Sequence, residues 1–328
     1  MSDNNLYGFL LQRDMFSISI NTLPWTFAKK PLVRHLRPAN SSPSAIMDAL
    51  DLASNFRGHG WNWSGGLPIP RETRPTNRIA FASYALLSVV IQAFIGAAVY
   101  QAMHLFTTGV AFNTEVPTIF DKTLPFIARY IRASIISALA AWVTYSGMQL
   151  KYNLLAVIGI LLFRQDPAQW PPIFDSPWWA TSLNDLWSRR WHQVYRHTFL
   201  VVAYPFSVAF GRVGGIVGAF LASALFHHVM MATFECRPEF WRMLIGFGMM
   251  GLGMLAERAF YKLTGRKVDG VVGWIWTMMW LLLWGNVIVD GFARAGMFAQ
   301  STDIDTPTPL GMSVDKLVRD FDSWLHTI

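Results

Sequence analysis

A histidine inside an apolar run is the residue in this chain most able to do chemistry. His227 lies in the stretch from Gly214 to Thr233, where lipid penalises an ionisable side chain and a retained one usually has a task. As a neutral imidazole it could take a proton from a substrate hydroxyl as a general base; the alternative is a core histidine bonded to a backbone carbonyl. His228 follows directly, and consecutive helical residues point about 100° apart, so one of the two serves chemistry and the other packing. Upstream, Ser182 to Gln193 reads SLNDLWSRRWHQ, too polar for a lipid-facing span and suited to a membrane-surface active-site loop. Ser182 is a plausible N-cap with Asp185 at capping-box spacing. At helical spacing Leu183, Trp187, Arg190 and Trp191 fall on one side, and Asp185, Arg189 and His192 on another. Arg189 and Arg190 offer forked donors to coenzyme phosphates, or snorkel to lipid headgroups, while Trp187 and Trp191 suit an interfacial anchor. A third cluster, Phe56 to Trp63, reads FRGHGWNW; Gly58 and Gly60 permit close backbone approach and could bring Arg57 to the protein core.

Other catalytic patterns are absent from the sequence. There is no HExxH, since His227 and His228 are adjacent, and no Walker A, GxSxG or GxGxxG context. Gly211, Gly214, Gly215 and Gly218 fall in or beside a span, where small residues serve helix packing. Cys236 is the only cysteine, so there is no intrachain disulfide framework and no cysteine-based metal site.

The elements that must position these residues are membrane helices. Of 328 residues, 53% are hydrophobic and only 14% charged, against roughly 25% charged in soluble domains. The formal charge of +7 comes from basic residues between apolar runs, as the positive-inside rule expects, and no recognition motif points to nucleic acid. Residues 1–78 form a polar segment read as cytoplasmic, without the pattern of a cleaved signal peptide. Residues 79–298 form the membrane-embedded domain and 299–328 a polar tail, in which Val314, Leu317, Val318, Phe321 and Leu325 outline a short amphipathic helix. Five runs approach the roughly 20 residues needed to cross a bilayer: Ile79 to Phe106, Phe126 to about Leu150, Gly214 to Ala232, Trp241 to Leu255 with its flanks, and Val271 to about Val289. Leu154 to Phe163 and Thr198 to Phe210 are shorter and suit re-entrant or interfacial segments. If neither crosses, the arginines of 164–212 and the basic loop Arg258 to Lys267 share the cytoplasmic side. The proline-rich stretch 165–179 cannot continue a helix and reads as an interfacial loop. Glu257 and Arg258, at a span end, are expected to pair or snorkel. The fold class is an all-α integral membrane bundle.

RGHGWNW (57–63), SLNDLWSRRWHQ (182–193) and SALFHH (223–228) together resemble the three signatures of the fungal wax-synthase-like branch of the membrane-bound O-acyltransferases, over about residues 45 to 290. The chain departs from the usual patterns at His59, Leu186 to Ser188, Ala224 and His228. The resemblance implies that His227 is the catalytic histidine, with His192 at the Asn-or-His position of the tryptophan-rich motif. Arg189, Arg190, Trp187, Trp191, Arg57 and Asn62 form the expected substrate-binding set. It implies acyl-CoA as co-substrate, no permanently bound cofactor and no metal, with CoA entering from the cytoplasm and a lipophilic alcohol from the bilayer. Acetyl transfer to a terpenoid or meroterpenoid hydroxyl is favoured, wax-ester synthesis being the alternative, and the endoplasmic reticulum membrane is the expected location. Members often carry further spans ahead of the first signature, so a shortened member is expected. A transporter with His227 and Arg190 lining a polar path is the non-enzymatic reading; the lack of internal repeats argues against it.

Overall fold

The computed structural model describes residues 15–22, 25–37, 44–64, 67–111, 118–232, 238–298 and 309–327. Helices α1 (Ala45–Ser54), α2 (Arg78–Ala111), α3 (Phe126–Leu161), α4 (Leu183–Asp185, continued as a π turn over Leu186–Arg190), α5 (Arg196–Met231), α6 (Phe240–Thr264), α7 (Gly270–Arg294) and α8 (Pro309–Leu325) follow in order. No strand occurs among the described residues. Five helices, α2, α3, α5, α6 and α7, are long and apolar enough to cross a membrane, so the chain is a multi-pass, all-α membrane protein.

Two expectations change. Leu154 to Phe163 is not a separate re-entrant segment: Leu154 to Leu161 is the last stretch of α3, which at 36 residues is about 54 Å long and outreaches a bilayer of about 30 Å. Its extra turns are held by polar and small residues that the hydrophobic count discounted. Asn153 is buried and donates to the Ser88 hydroxyl of α2, and Gly159 admits Trp170 and Gln165 at close range. The Thr198 to Phe210 segment does behave as a re-entrant arm. The backbone of α5 leaves helical geometry at Phe210 and Gly211, where Gly211 has φ +59° and ψ −145°, a conformation nearly reserved for glycine.

Beyond this reversal the two arms of α5 lie side by side. An ideal Cβ on Gly214 would stand 2.0 Å from the Phe206 carbonyl oxygen, and one on Gly218 would meet the Ala203 Cα at 3.0 Å. Phe199 and Phe226 close the hairpin, their ring centroids 5.6 Å apart. The glycines therefore serve close helix packing, as their membrane setting implies. The second arm has about 20 residues, enough to cross; the first has about 14, which is not.

Helix α6 runs back along the second arm: Met231 and Met243 share one core cluster with Ala224 and Phe247, and Phe220 covers Gly251. Helix α7 then returns along α6, with Ile288 beside Gly246 and Trp280 beside Gly253. The Asp269 carboxylate at the α6–α7 turn accepts the Thr181 hydroxyl at 2.7 Å, so the basic turn lies at the same end of the bundle as the proline-rich loop. That loop is two 3-10 turns, Pro167–Gln169 and Pro177–Trp179. At the opposite end, buried Asp290 binds Thr118, Arg242 and Arg294. There α8 packs Val318 onto Met103, Phe106 and Ile136 and pairs Asp322 with buried Arg132 at 2.7 Å. The amphipathic tail helix thus belongs to the bundle, with one exception to the sequence pattern: Leu317 points outward. Cys236 lies outside the described residues.

Candidate functional site

The Nδ1 of His227 lies 2.7 Å from the Ser223 carbonyl oxygen one turn earlier. A carbonyl only accepts, so Nδ1 carries the proton and Nε2 is left with its lone pair. The ring stacks on Phe247 of α6, centroids 4.4 Å apart, with Phe226 and Phe292 at its edges. His228 turns away and packs on Phe240 at 5.0 Å, the divergence that helical geometry demands. His227 is the member of the pair that looks into the bundle beside α6.

His192 reaches the same region from the other direction. The motif segment enters the bundle along the second arm of α5: Leu183 packs at Gly253, Trp187 sets its ring edge-on to Phe220 at 5.9 Å, and Tyr195 lies 4.8 Å from Phe226. Tyr195 also flanks His192 at 6.0 Å, so His192, Tyr195, Phe226 and His227 form a continuous chain of ring contacts. Burial pushes the His192 imidazole down to about 3, helped by its neighbour His227 and by the Arg57 charge, so it is neutral at physiological pH. Its Nδ1 is buried without a hydrogen-bond partner.

The helical-face reading of the motif fails at this residue. Leu186–Arg190 is a π turn and Trp191 leaves the helix with extended backbone, so His192 does not share a side with Asp185 and Arg189. The Trp187 indole N–H is buried, and Trp191 sets its ring edge-on to Phe174. The N-cap holds: the Ser182 hydroxyl accepts the Asp185 N–H at 2.9 Å.

Arg189 and Arg190 both bond Asp185, Arg189 at 2.7 Å, and Arg190 also donates to the Asp175 carbonyl at 2.9 Å. Their exposures differ, 51% against 18%. Arg189 is open to an incoming anion, whereas Arg190 pins the motif to the proline-rich loop.

Arg57 is buried, as the glycine-punctuated loop implied, and donates to the carbonyls of Pro171 and Pro172 at 3.0 and 3.1 Å. Burial lowers its pKa from the usual guanidinium value. It fastens the N-terminal loop to the proline-rich loop, and its charge reaches His192. Asn62 is not brought to the histidines: its amide donates to the Pro31 carbonyl and its oxygen accepts the Val33 N–H. His59 contacts the Ala168 carbonyl at 3.0 Å, and burial lowers its pKa.

One residue escaped the sequence reading. Glu257 neither pairs with Arg258 nor snorkels; it is 7% exposed and accepts the backbone N–H groups of Leu183 and Asn184 at 2.6 and 3.0 Å and the Trp276 indole N–H at 3.0 Å. An acid within an apolar span was the available signal; its backbone partners, Leu183 and Asn184, more than seventy residues upstream, were not. Among the described residues no group of three or more His, Cys, Asp or Glu is arranged to hold a metal.

Fold and site together define a multi-pass helical membrane protein with two histidines brought together from separate segments. Residues 170–249, which include the motif segment, α5 and the start of α6, match the model of the membrane bound O-acyl transferase family, the family that the motifs resemble. Among curated proteins the chain is 31% identical over 173 residues to "O-Mevalon transferase yanI" of Aspergillus niger, covering 48% of this chain and 36% of that one. It is 27% identical over 175 residues to "Acetyltransferase TRI7" of Fusarium sporotrichioides, covering 45% and 40%. "Acetyltransferase ple2" of Rhodocybe pseudopiperita is 22% identical over 277 residues, covering 76% of this chain and 68% of that one. The chain thus spans about two fifths of the length of the relatives it matches first. No solved structure matches.

Proposed function

We propose that the chain is an acyl-CoA-dependent O-acyltransferase, transferring acetyl from acetyl-CoA to a hydroxyl of a hydrophobic alcohol of the terpenoid class. The observation that carries this reading is the fixed tautomer of His227, with Nδ1–H committed to the Ser223 carbonyl and Nε2 free to accept a proton. His227 Nε2 takes the proton of the acceptor hydroxyl as the oxygen attacks the thioester carbonyl; the C–O bond forms and a tetrahedral oxyanion develops. His192, neutral, donates its ring N–H to that oxyanion. On collapse the C–S bond breaks and the proton held by His227 goes to the CoA sulfur. Arg189 binds coenzyme phosphates, Arg190 holds the motif to the Asp175 carbonyl, Trp187 and Trp191 wall the acyl path, and Arg57 and Asn62 hold the N-terminal loop. No metal enters the scheme.

In this reading residues 79–298 carry the reaction. The end bearing the proline-rich loop and the basic α6–α7 turn faces the cytoplasm, following the positive-inside rule, and the membrane is that of the endoplasmic reticulum. The acetyl donor follows the relatives named acetyltransferases. A second donor reading rests on the relatives named O-mevalon transferases, in which the group those names print replaces acetyl.

Microsomes carrying the chain, or its His227→Ala variant, are incubated with labelled acetyl-CoA and a panel of terpenoid alcohols. Label is expected in the lipid-soluble fraction with the unaltered chain and to fall on the order of 10²- to 10⁴-fold in the variant, the range for loss of a general base. Retained activity in folded His227→Ala protein would refute the assignment. Transfer only from a long-chain acyl-CoA would make the chain a wax-ester synthase, and flux of an alcohol without acyl transfer would make it a transporter.

A further inference from the structure

We propose that Glu257 is a positioning residue for the tryptophan-rich motif, a role that rests on the acyl-transfer reading above. The motif has little of its own to hold it in place. It is one short α turn continued by a π turn, too brief to be stable by its own hydrogen bonds, and its first N–H groups have no partner within the turn. Glu257 supplies that partner from another helix. One carboxylate oxygen accepts the Leu183 N–H and the Trp276 indole N–H, and the other accepts the Asn184 N–H. A carboxylate has oxygens enough to accept all three donors at once.

The location of Glu257 gives the bonds their purpose. It stands on α6 ten positions beyond Phe247, the ring on which His227 stacks. At about 1.5 Å per residue the two are about 15 Å apart along one helix. Phe247 backs one histidine, and Glu257 holds the start of the segment that carries the other. Helix α6 is thus a ruler setting His192 against His227, and the carboxylate is its far mark. Gly253, between them, lets Leu183 seat against α6: an ideal Cβ there would come within 2.4 Å of a Leu183 methyl.

The full chain, in detergent, is compared with Glu257→Gln and Glu257→Asp. The amide of the Gln variant turns an N–H toward a donor, so the motif loses at least one anchor. Trypsin cleavage after Arg189 and Arg190, mapped by mass spectrometry, is expected to quicken at least about tenfold in the Gln variant with other sites unchanged. In the same protein kcat per folded molecule should fall at least about tenfold, and Asp, which keeps the charge, should recover part of both. Should the Gln variant not accumulate, Asp alone decides: intermediate values support the role, and wild-type values for both readouts overturn it. Trp276→Phe removes only the indole donor and is expected to keep kcat within about threefold; a loss matching that of Gln would make Glu257 a support of the α6–α7 contact and overturn the proposal. If the unaltered chain transfers no acyl group, the acyl-transfer reading falls, and the cleavage pattern still decides whether Glu257 holds the motif.

Discussion

Gly214→Ala should break the α5 hairpin, while the same change one residue later should not. At Gly214 the added Cβ would stand 2.0 Å from the Phe206 carbonyl oxygen and 2.8 Å from its carbonyl carbon, both backbone atoms that no side-chain rotation can move. To reach the 3.4 Å of ordinary contact the arms must part by about 1.4 Å. That separation would strip the packing of Gly218 on Ala203 and Phe206 as well. Overpacking of a tight contact costs about 1–3 kcal/mol, and the upper end applies where backbone opposes backbone. At Gly215 the new Cβ would lie 3.4 Å from the Ser207 hydroxyl and 3.5 Å from its Cβ, ordinary contact, so the helical preference of alanine over glycine, about 0.5–1 kcal/mol, remains as the net effect. Thermal unfolding of the two variants in one detergent checks this, with Gly214→Ala expected to melt lower and Gly215→Ala at or above the unaltered chain. Acyl transfer should fall with Gly214→Ala, because the second arm carries His227 and the first is continuous with Tyr195. Equal melting of the two variants would mean that the arms do not pack face to face at Gly214 and would refute the reversal at Gly211.

The remaining expectations concern pH and the two arginines of the motif. The His192 imidazole falls from its ordinary 6.5 to about 3 on folding, so its neutral form is the one the fold accepts. Its contribution is fully present above pH 6.5 and is lost as pH falls from 6.5 toward 3; melting temperature should decline over that window and less steeply in His192→Gln, whereas parallel declines would show that His192 does not titrate with folding. Arg189→Ala is expected to raise KM for acetyl-CoA with little change in melting temperature, since its side chain is half exposed and only Asp185 and Asp175 lie near it. Arg190→Ala should lower stability and kcat together, because it removes the tie to the Asp175 carbonyl; steady-state kinetics beside melting curves separate the two.

The parts of this molecule legible in the sequence are those decided over one or two helical turns. Apolar length was enough to find all five long helices. The 13-residue run at 198–210 was too short to cross, which marked it as re-entrant or interfacial, and the separation of His227 from His228 follows from helical geometry alone. What failed to show depends on partners far along the chain or on departures from regular geometry. A π turn cannot be read from spacing that assumes 3.6 residues per turn, so His192 was placed on the wrong side. The final turns of α3 looked like a separate element because hydrophobicity lapses at Lys151 to Asn153, residues at the level where α3 meets α2 and the proline-rich loop. Asn62, attractive within a motif, spends both polar atoms on Pro31 and Val33.

A hairpin and a short irregular segment offer a site within the bundle something that a continuous helix does not. A continuous transmembrane helix satisfies its own backbone and leaves only side chains to face a cavity, while irregular backbone at membrane depth is tolerated only where protein covers it. Here the motif segment leads from the loop end of the bundle toward His227, and each of its exposed needs is met by a neighbour: Glu257 accepts the first N–H groups, Asp185 and the Asp175 carbonyl hold Arg190, and Gln193 donates back to the Trp187 and Trp191 carbonyls. The donors left over within the motif are the Trp187 indole N–H and His192, whose Nδ1 has no partner. The Gln193 Oε1 is likewise buried without a partner, and each such atom costs about 1–3 kcal/mol. In the acyl-transfer reading, a carbonyl oxygen that gains negative charge would be the acceptor for the His192 ring N–H.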